Sequence, residues 1–313
     1  MSSGKIAVLF PGQGSQYIGM GEEFLANDSA RSIMEMAESV SGAPLGRLCL
    51  EGPMEELTQA HNLQPALTAI NLICYQMVKE AGIKADFLAG HSLGEYSALC
   101  ASGVLSPEDT MKLVTERGRL MGRAGQENPG GMRAVLGLNL QQVNDVLSKV
   151  EMADKISVGN HNSEKQVVIS GAAEALDKAS ELASAAGGKV IPLNVAVANH
   201  SPLMAKAVPE FEKLMAGITF NQPTTPVYFN VTANPETEPD AIRAMMAAQI
   251  KSTVCWLDII NKLVDQGVMT FIEVGPKAVL SGLMKKILPR KAGHQCFQVD
   301  TPEKLAKCVA ALM

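Results

Sequence analysis

The stretch Phe87-Leu88-Ala89-Gly90-His91-Ser92-Leu93-Gly94-Glu95-Tyr96-Ser97-Ala98-Leu99-Cys100-Ala101 decides how this chain folds. A short apolar run, Phe87 to Ala89, meets a glycine-flanked turn and passes directly into a helix-like segment from Glu95. Strand, sharp turn, helix is the pattern of a nucleophile elbow. Glycines on both sides of Ser92 let neighbouring backbone close in, and the serine hydroxyl projects clear of the sheet. Free N–H groups and the positive dipole end at the helix start face any oxyanion that forms beside Ser92. Ser92 is therefore a candidate acyl acceptor. A chance Gly-x-Ser-x-Gly in a chain with 27 glycines is the alternative, and the motif alone does not separate the two.

Outward from the elbow, residues from Lys5 to about Ala124 alternate apolar runs with helix-like stretches near 30–39 and 67–81, the rhythm of an α/β layer. Ile6 to Phe10 reads as the opening strand. Phe10-Pro11-Gly12-Gln13-Gly14-Ser15-Gln16 leaves it at the same sheet end as the elbow, with glycines that allow N–H groups to turn inward onto an oxyanion. A plain turn is the alternative; a nucleotide phosphate loop lacks its Gly-Lys-Ser/Thr ending. Ser106-Pro107-Glu108-Asp109 supplies a cap, a first-position proline and first-turn acids, which predicts a helix over 107–123.

From Gly130 the rhythm changes. Strand-like runs at 132–138, 156–159, 166–169 and 190–196 enclose helix-like runs at 141–150 and 172–186, in the order β-α-β-β-α-β of a ferredoxin-like unit. Strands near 226–229 and 270–274 then resume the first pattern. The expected architecture is α/β. Residues 1–125 and 199–313 form a large subdomain with a parallel sheet and the elbow, and 126–198 form an inserted ferredoxin-like small subdomain.

The 313 residues are 47% hydrophobic and 19% charged, enough to bury the core of one large or two modest domains. Six cysteines lie scattered without a Cys-x-x-Cys pair, so neither a zinc site nor a disulfide scaffold is expected, and reduced thiols fit best. The N-terminus runs straight into the first strand, and no apolar run reaches membrane-spanning length. A soluble, cytoplasmic monomer is expected. Net charge is −5, which favours neither nucleic acid nor an anionic membrane; an acidic partner would need a local basic patch.

A serine nucleophile needs a base, and there are five histidines. His91 neighbours Ser92, but adjacent side chains on a tight turn point apart, so it is expected to pack or hydrogen-bond the elbow. His61 and His161 sit in polar loop contexts, and His294 in a solvated turn. His200, in Ala198-Asn199-His200-Ser201-Pro202, lies where the chain returns to the large subdomain, and clefts form at such seams. It is a candidate base, with a satisfied structural histidine equally open. From spacing alone Arg117 reads as a solvated helix arginine like Arg119 and Arg123.

Taken together, Phe10-Pro11-Gly12-Gln13-Gly14-Ser15-Gln16, Gln64-Pro65-Ala66, Gly90-His91-Ser92-Leu93-Gly94-Glu95-Tyr96, Arg117-Gly118-x-x-Met121, His200-Ser201-Pro202-Leu203-Met204 and Glu273-Val274-Gly275-Pro276 resemble the malonyl-CoA:acyl carrier protein transacylases, in family order and across nearly the whole chain. The resemblance implies a hydrolase-like large subdomain bearing a ferredoxin-like small one. It implies Ser92 as nucleophile, His200 as base, and the N–H groups of Gln13 and Leu93 as the oxyanion hole. Arg117 would grip the malonyl carboxylate, a task for which a planar, two-pronged guanidinium suits a partly dry cleft. Gln64, Met121 and Asn199 are expected around the acyl group, and Asn230 and Gln249 as residues that orient the imidazole of a Ser-His dyad. Gly118 costs a helix about 1 kcal/mol, which makes sense if something approaches the backbone there. Asn199 stands where relatives commonly carry Ser or Phe, and Cys255 where Gln or Arg is usual.

The implied reaction is a two-step exchange through malonyl-Ser92, with malonyl-CoA as substrate, acyl carrier protein as partner, and no metal, redox nucleotide or prosthetic group. Carrier proteins of this pathway are acidic, so Lys285, Lys286, Arg290 and Lys291 are a candidate docking cluster, or simply a solvated helix end. Three alternatives stay open: a polyketide-pathway transacylase with another extender unit or carrier protein, a serine hydrolase that releases malonate, and a non-catalytic scaffold.

Overall fold

The computed structural model describes residues 4–195, 197–289 and 291–312. From the N-terminus, β1 (Lys5–Phe10) is followed by α1 (Asp28–Ser41), α2 (Leu45–Leu50), α3 (Met54–Leu57) and α4 (Ala60–Glu80), then by β2 (Phe87–Gly90), α5 (Gly94–Ala101) and α6 (Pro107–Glu127). Next come β3 (Gly130–Leu136), α7 (Leu140–Leu147), β4 (Ile156–Ser163), β5 (Gln166–Ala172), α8 (Ala173–Ala185) and β6 (Lys189–Pro192). The chain ends with α9 (Val208–Met215), β7 (Val227–Tyr228), α10 (Pro239–Gln249), α11 (Trp256–Asp265), β8 (Val268–Val274), α12 (Val279–Ile287), β9 (Gln295–Val299) and α13 (Pro302–Leu312).

The strands divide between two sheets. One is parallel and five-stranded, in the order β7-β2-β1-β8-β9. Its central strands read as unbroken apolar runs because helices cover both faces. On β1, Val8 and Phe10 point into a core shared with α4 and α6, while Ala7 and Leu9 point into a second core with Trp256 and Ile260 of α11. The other sheet is antiparallel, in the order β4-β5-β3-β6, with α7 and α8 packed over Val135, Val167 and Ile169 on one face. That order and connectivity are the ferredoxin-like arrangement. The two parts meet where Asn160 of β4 bridges Val254, with Val254 N–H donating to Gly159 O and His161 N–H to Val254 O.

Several local expectations need correction. The helix expected from Leu67 begins at Ala60 and runs through Pro65, because its first turns are pinned between α3 and α6. His161 is not in a loop; it lies buried on β4. The last strand of the small sheet ends at Pro192, with one further bond from Leu193 N–H to Met132 O, and Ala196, its expected end, lies outside the described residues. The edge strand β9 carries exposed Gln295 and Cys296, too weak an alternation to read from sequence. Among the described residues, no helix is long and apolar enough to cross a membrane.

Candidate active site

The elbow forms because two glycines allow three backbone segments to touch. A Cβ on Gly90 would lie 2.0 Å from Gly94 C, and one on Gly94 would lie 2.0 Å from Phe10 O. Ser92 between them is left-handed, with φ +50°. That conformation costs a non-glycine residue about 1–2 kcal/mol and persists only where neighbours hold it. Asn230 holds it: Ser92 N–H donates to Asn230 Oδ1 at 2.7 Å, and Asn230 Nδ2 donates to Gly90 O at 2.7 Å.

His200 is also left-handed, with φ +60°, and 2% exposed. Its Nε2 lies 2.7 Å from Ser92 Oγ. Its Nδ1 faces two backbone carbonyls at the end of α10, Gln249 O at 2.9 Å and Ser252 O at 3.1 Å. Carbonyls only accept, so Nδ1 carries the proton and the Nε2 lone pair faces the serine hydroxyl. Burial, aided by the positive Arg117, pushes the His200 pKa down to about 3, so the imidazole is neutral and ready to take a proton. Gln249 closes α10 and Ser252 lies three residues beyond it, so the imidazole is oriented by carbonyls at and just past a helix end.

Arg117 is 2% exposed and lies beside Ser92. Its Nη1 donates to Gln64 Oε1 at 2.9 Å and its Nη2 to Gln249 Oε1 at 3.1 Å; Nη2 is also 3.4 Å from Ser92 Oγ. The guanidinium lies 5.4 Å from the centre of the Tyr96 ring, and its Nε has no partner. Burial lowers its pKa from the usual arginine value. Among the described residues no carboxylate forms an ion pair with it, whereas the exposed Arg119 and Arg123 on the same helix both pair with Glu210. A buried guanidinium without a carboxylate is a receptor for one. The solvated reading of Arg117 from spacing thus fails.

Gln64 and Met121 complete the wall beside it, with Gln64 Nε2 3.6 Å from Met121 Sδ and both side chains buried. Asn199, 9% exposed, is held through its backbone carbonyl by Ser170 Oγ at 2.5 Å, and its Oδ1 has no partner. On the other side, a Cβ on Gly12 would lie 2.5 Å from His91 O and 3.5 Å from Leu93 N, so the Gly12-Gln13 loop lies against the elbow. Neither the Gln13 nor the Leu93 N–H is engaged among the described residues. Gln13 borders a cleft of roughly 390 Å³ lined also by Gln16, Gln59, Gly122, Asn194 and Val197.

One expected role changes. Asn230 does not touch the imidazole; both ends of its amide are committed to the elbow. Gln249 does orient His200, but through its backbone carbonyl, while its side chain faces Arg117. Ser252 was missed, since only its carbonyl acts and no side-chain pattern reports that. Glu95 was missed as well, although a carboxylate directly after the elbow, at the head of an otherwise buried helix, was a visible signal. Gly118 is explained by α4, whose Ala60 O would lie 2.3 Å from a Cβ there. His91 hydrogen-bonds Asn162 at 2.8 Å and packs edge-on against Trp256, as its place on the turn implied. Lys285, Lys286 and Lys291 are exposed, with Lys286 Nζ bonded to Gln166 across the seam; Arg290 lies outside the described residues.

The model of the acyl transferase domain family matches residues 8–301. The malonyl CoA-acyl carrier protein transacylase of Bacillus subtilis is 40% identical over 311 residues, covering 98% of this chain and 97% of its own. The chain belongs to this acyltransferase family. Among solved structures, the transacylase of Coxiella burnetii superposes with a TM-score of 0.94 at 33% identity, over 98% of both chains. A malonyl-transacylase solved in complex with its type II polyketide acyl carrier protein gives 0.94 at 34% identity, over 98% of this chain and 99% of that one. The family assignment and the α/β architecture expected from sequence agree with these matches.

Proposed function

We propose that this acyltransferase moves a malonyl group from malonyl-CoA to the phosphopantetheine thiol of acyl carrier protein, supplying fatty-acid synthesis. One observation carries this: a neutral imidazole and an unpaired guanidinium converge on the same serine oxygen, at 2.7 and 3.4 Å. A hydrolase of neutral esters has no use for the second.

In the first half-reaction His200 Nε2 takes the Ser92 proton as Oγ attacks the thioester carbonyl, and the oxyanion is received by the Gln13 and Leu93 N–H groups. Collapse of the tetrahedral intermediate breaks the C–S bond, and the imidazolium returns its proton to the departing CoA sulfur. The carrier thiol then gives a proton to His200, attacks the ester carbonyl, and Ser92 leaves with that proton. Arg117 holds the malonyl carboxylate throughout and fixes the ester away from water's line of attack. The amide-rich cleft beside Gln13 suits the pantetheine arm of either thiol.

The test is intact mass after brief mixing with malonyl-CoA. A malonyl adduct is expected on the wild type, absent in Ser92→Ala, and cleared by carrier protein. No adduct together with free malonate would indicate a hydrolase, and neither product a scaffold. The polyketide relative with its carrier protein supports a second reading in which the same chemistry serves a polyketide carrier; clearing rates with the two carrier types decide between them.

A further inference from the structure

Glu95 contributes nothing to the chemistry just described, yet it is 1% exposed and lies three residues from the nucleophile. Acids in the first turn of a helix ordinarily sit in solvent near the dipole. This one turns inward. Its Oε1 accepts the Asn230 N–H at 2.5 Å and its Oε2 accepts Gln249 Nε2 at 2.5 Å. Those two partners hold most of the site: Asn230 grips Ser92 N–H and Gly90 O, while Gln249 grips Ser92 O, Arg117 and, through its backbone, His200.

The consequence lies in the Gln249 amide, which has one accepting and one donating end. Glu95 and Ser92 O are both acceptors, so together they draw Nε2 toward themselves and leave Oε1 facing Arg117 Nη2. A flipped amide would turn its NH₂ group on the guanidinium, donor against donor. We propose that Glu95 is a positioning residue that sets the polarity of the Gln249 amide, thereby seating Arg117 to receive the acyl carboxylate and making the enzyme selective for malonyl over neutral acyl groups. The inference rests on the malonyl-transfer reading. Burial pushes the Glu95 carboxyl up to about 8, against the hydrogen bonds from Asn230 and Gln249 and the positive Arg117. Its acceptor-only form is therefore the majority in moderately alkaline buffer.

Glu95→Gln provides the test, because glutamine is nearly the same shape but offers one acceptor where two are needed. The readout is the ratio of single-turnover acylation rates with malonyl-CoA and acetyl-CoA at pH 8.5. The ratio is expected to fall about 10-fold, roughly one charge-assisted hydrogen bond, with the acetyl rate changed little. Gln249→Met should show a similar fall, and adding Glu95→Gln to it should lower the ratio no further. Glu95→Asp, still acceptor-only, should keep the ratio within about threefold. Equal losses for both acyl groups in Glu95→Gln, or a full additional loss in the double variant, would overturn the proposal and leave Glu95 as a structural brace of the elbow. If Glu95→Gln does not fold, a 10-fold loss of ratio in Glu95→Asp overturns it equally. A wild type that forms no malonyl adduct would instead defeat the transfer reading itself.

Discussion

Ser92 and His200 share one hydrogen bond and one unusual backbone conformation, but the regions that present them are built in opposite ways. At the elbow the fit is backbone on backbone: Gly90, Gly94 and the end of β1 interlock so tightly that no side chain fits between them, and the Asn230 side chain then holds the turn. At the seam, His200 is held from afar. Its N–H donates to Ile250 O, its Nδ1 faces Gln249 and Ser252, and its carbonyl accepts Ser157 Oγ from β4. A close backbone fit places Ser92, and tertiary hydrogen bonds from β4 and the end of α10 place His200.

The largest effect that would break this contrast is expected from one substitution made in both regions. Gly94→Ala drives a methyl into Phe10 O and should cost more than about 3 kcal/mol, enough to leave much of the chain unfolded. Gly187→Ala, in the small subdomain at φ +89° with nothing within 4 Å, should cost about 1–2 kcal/mol of conformational strain alone. Urea-unfolding midpoints measure both; similar losses would mean the elbow is no tighter than an ordinary turn.

Arg117 sharpens the comparison, since it touches Ser92 on one side and Gln249 on the other. Arg117→Ala should lower the malonyl-to-acetyl acylation ratio by about 10- to 100-fold, the worth of hydrogen bonds to a charged group. Arg119→Ala, two residues along the same helix but exposed, should change it less than about twofold.

The smallest effect concerns pH. His200 stays neutral in the folded protein down to about 3, while an unfolded histidine takes a proton below its usual 6.5. Between those values the unfolded state binds more protons, so the stability owed to burying neutral His200 is full above 6.5 and is lost as pH falls toward 3. Acylation by acetyl-CoA, which does not draw on Glu95, should accordingly change less than about twofold from pH 6 to 8, with its acid limb well below 6.5. An acid limb centred near the ordinary histidine value in a single-turnover profile would show that the seam does not exclude water from the imidazole.

Legibility followed the same division. Ser92 was readable because the glycines that force its turn are its neighbours in sequence, and the parallel strands because burial on both faces leaves unbroken apolar runs. Arg117 was misread as solvated although helical spacing carried a signal: of the three arginines of α6, only the first has buried Leu113, Val114, Leu120 and Met121 three and four residues away on both sides. Asn230 was assigned to the wrong neighbour, because residue type says that an amide is needed nearby and not which group it faces.

The sequence by itself determined the strand-turn-helix that bears Ser92, the change of rhythm that sets off an antiparallel unit, and the family motifs in their order. Those features depend on residue volumes and periodicities within a few positions of one another. Only the tertiary structure decided that His200 Nε2 faces Ser92 Oγ, that Gln249 meets Arg117 by its side chain and His200 by its backbone, and that Glu95 faces inward. Each depends on which hydrogen-bonding groups meet across contacts more than a hundred residues apart or between backbone carbonyls, and a carbonyl carries no mark of its role in the sequence.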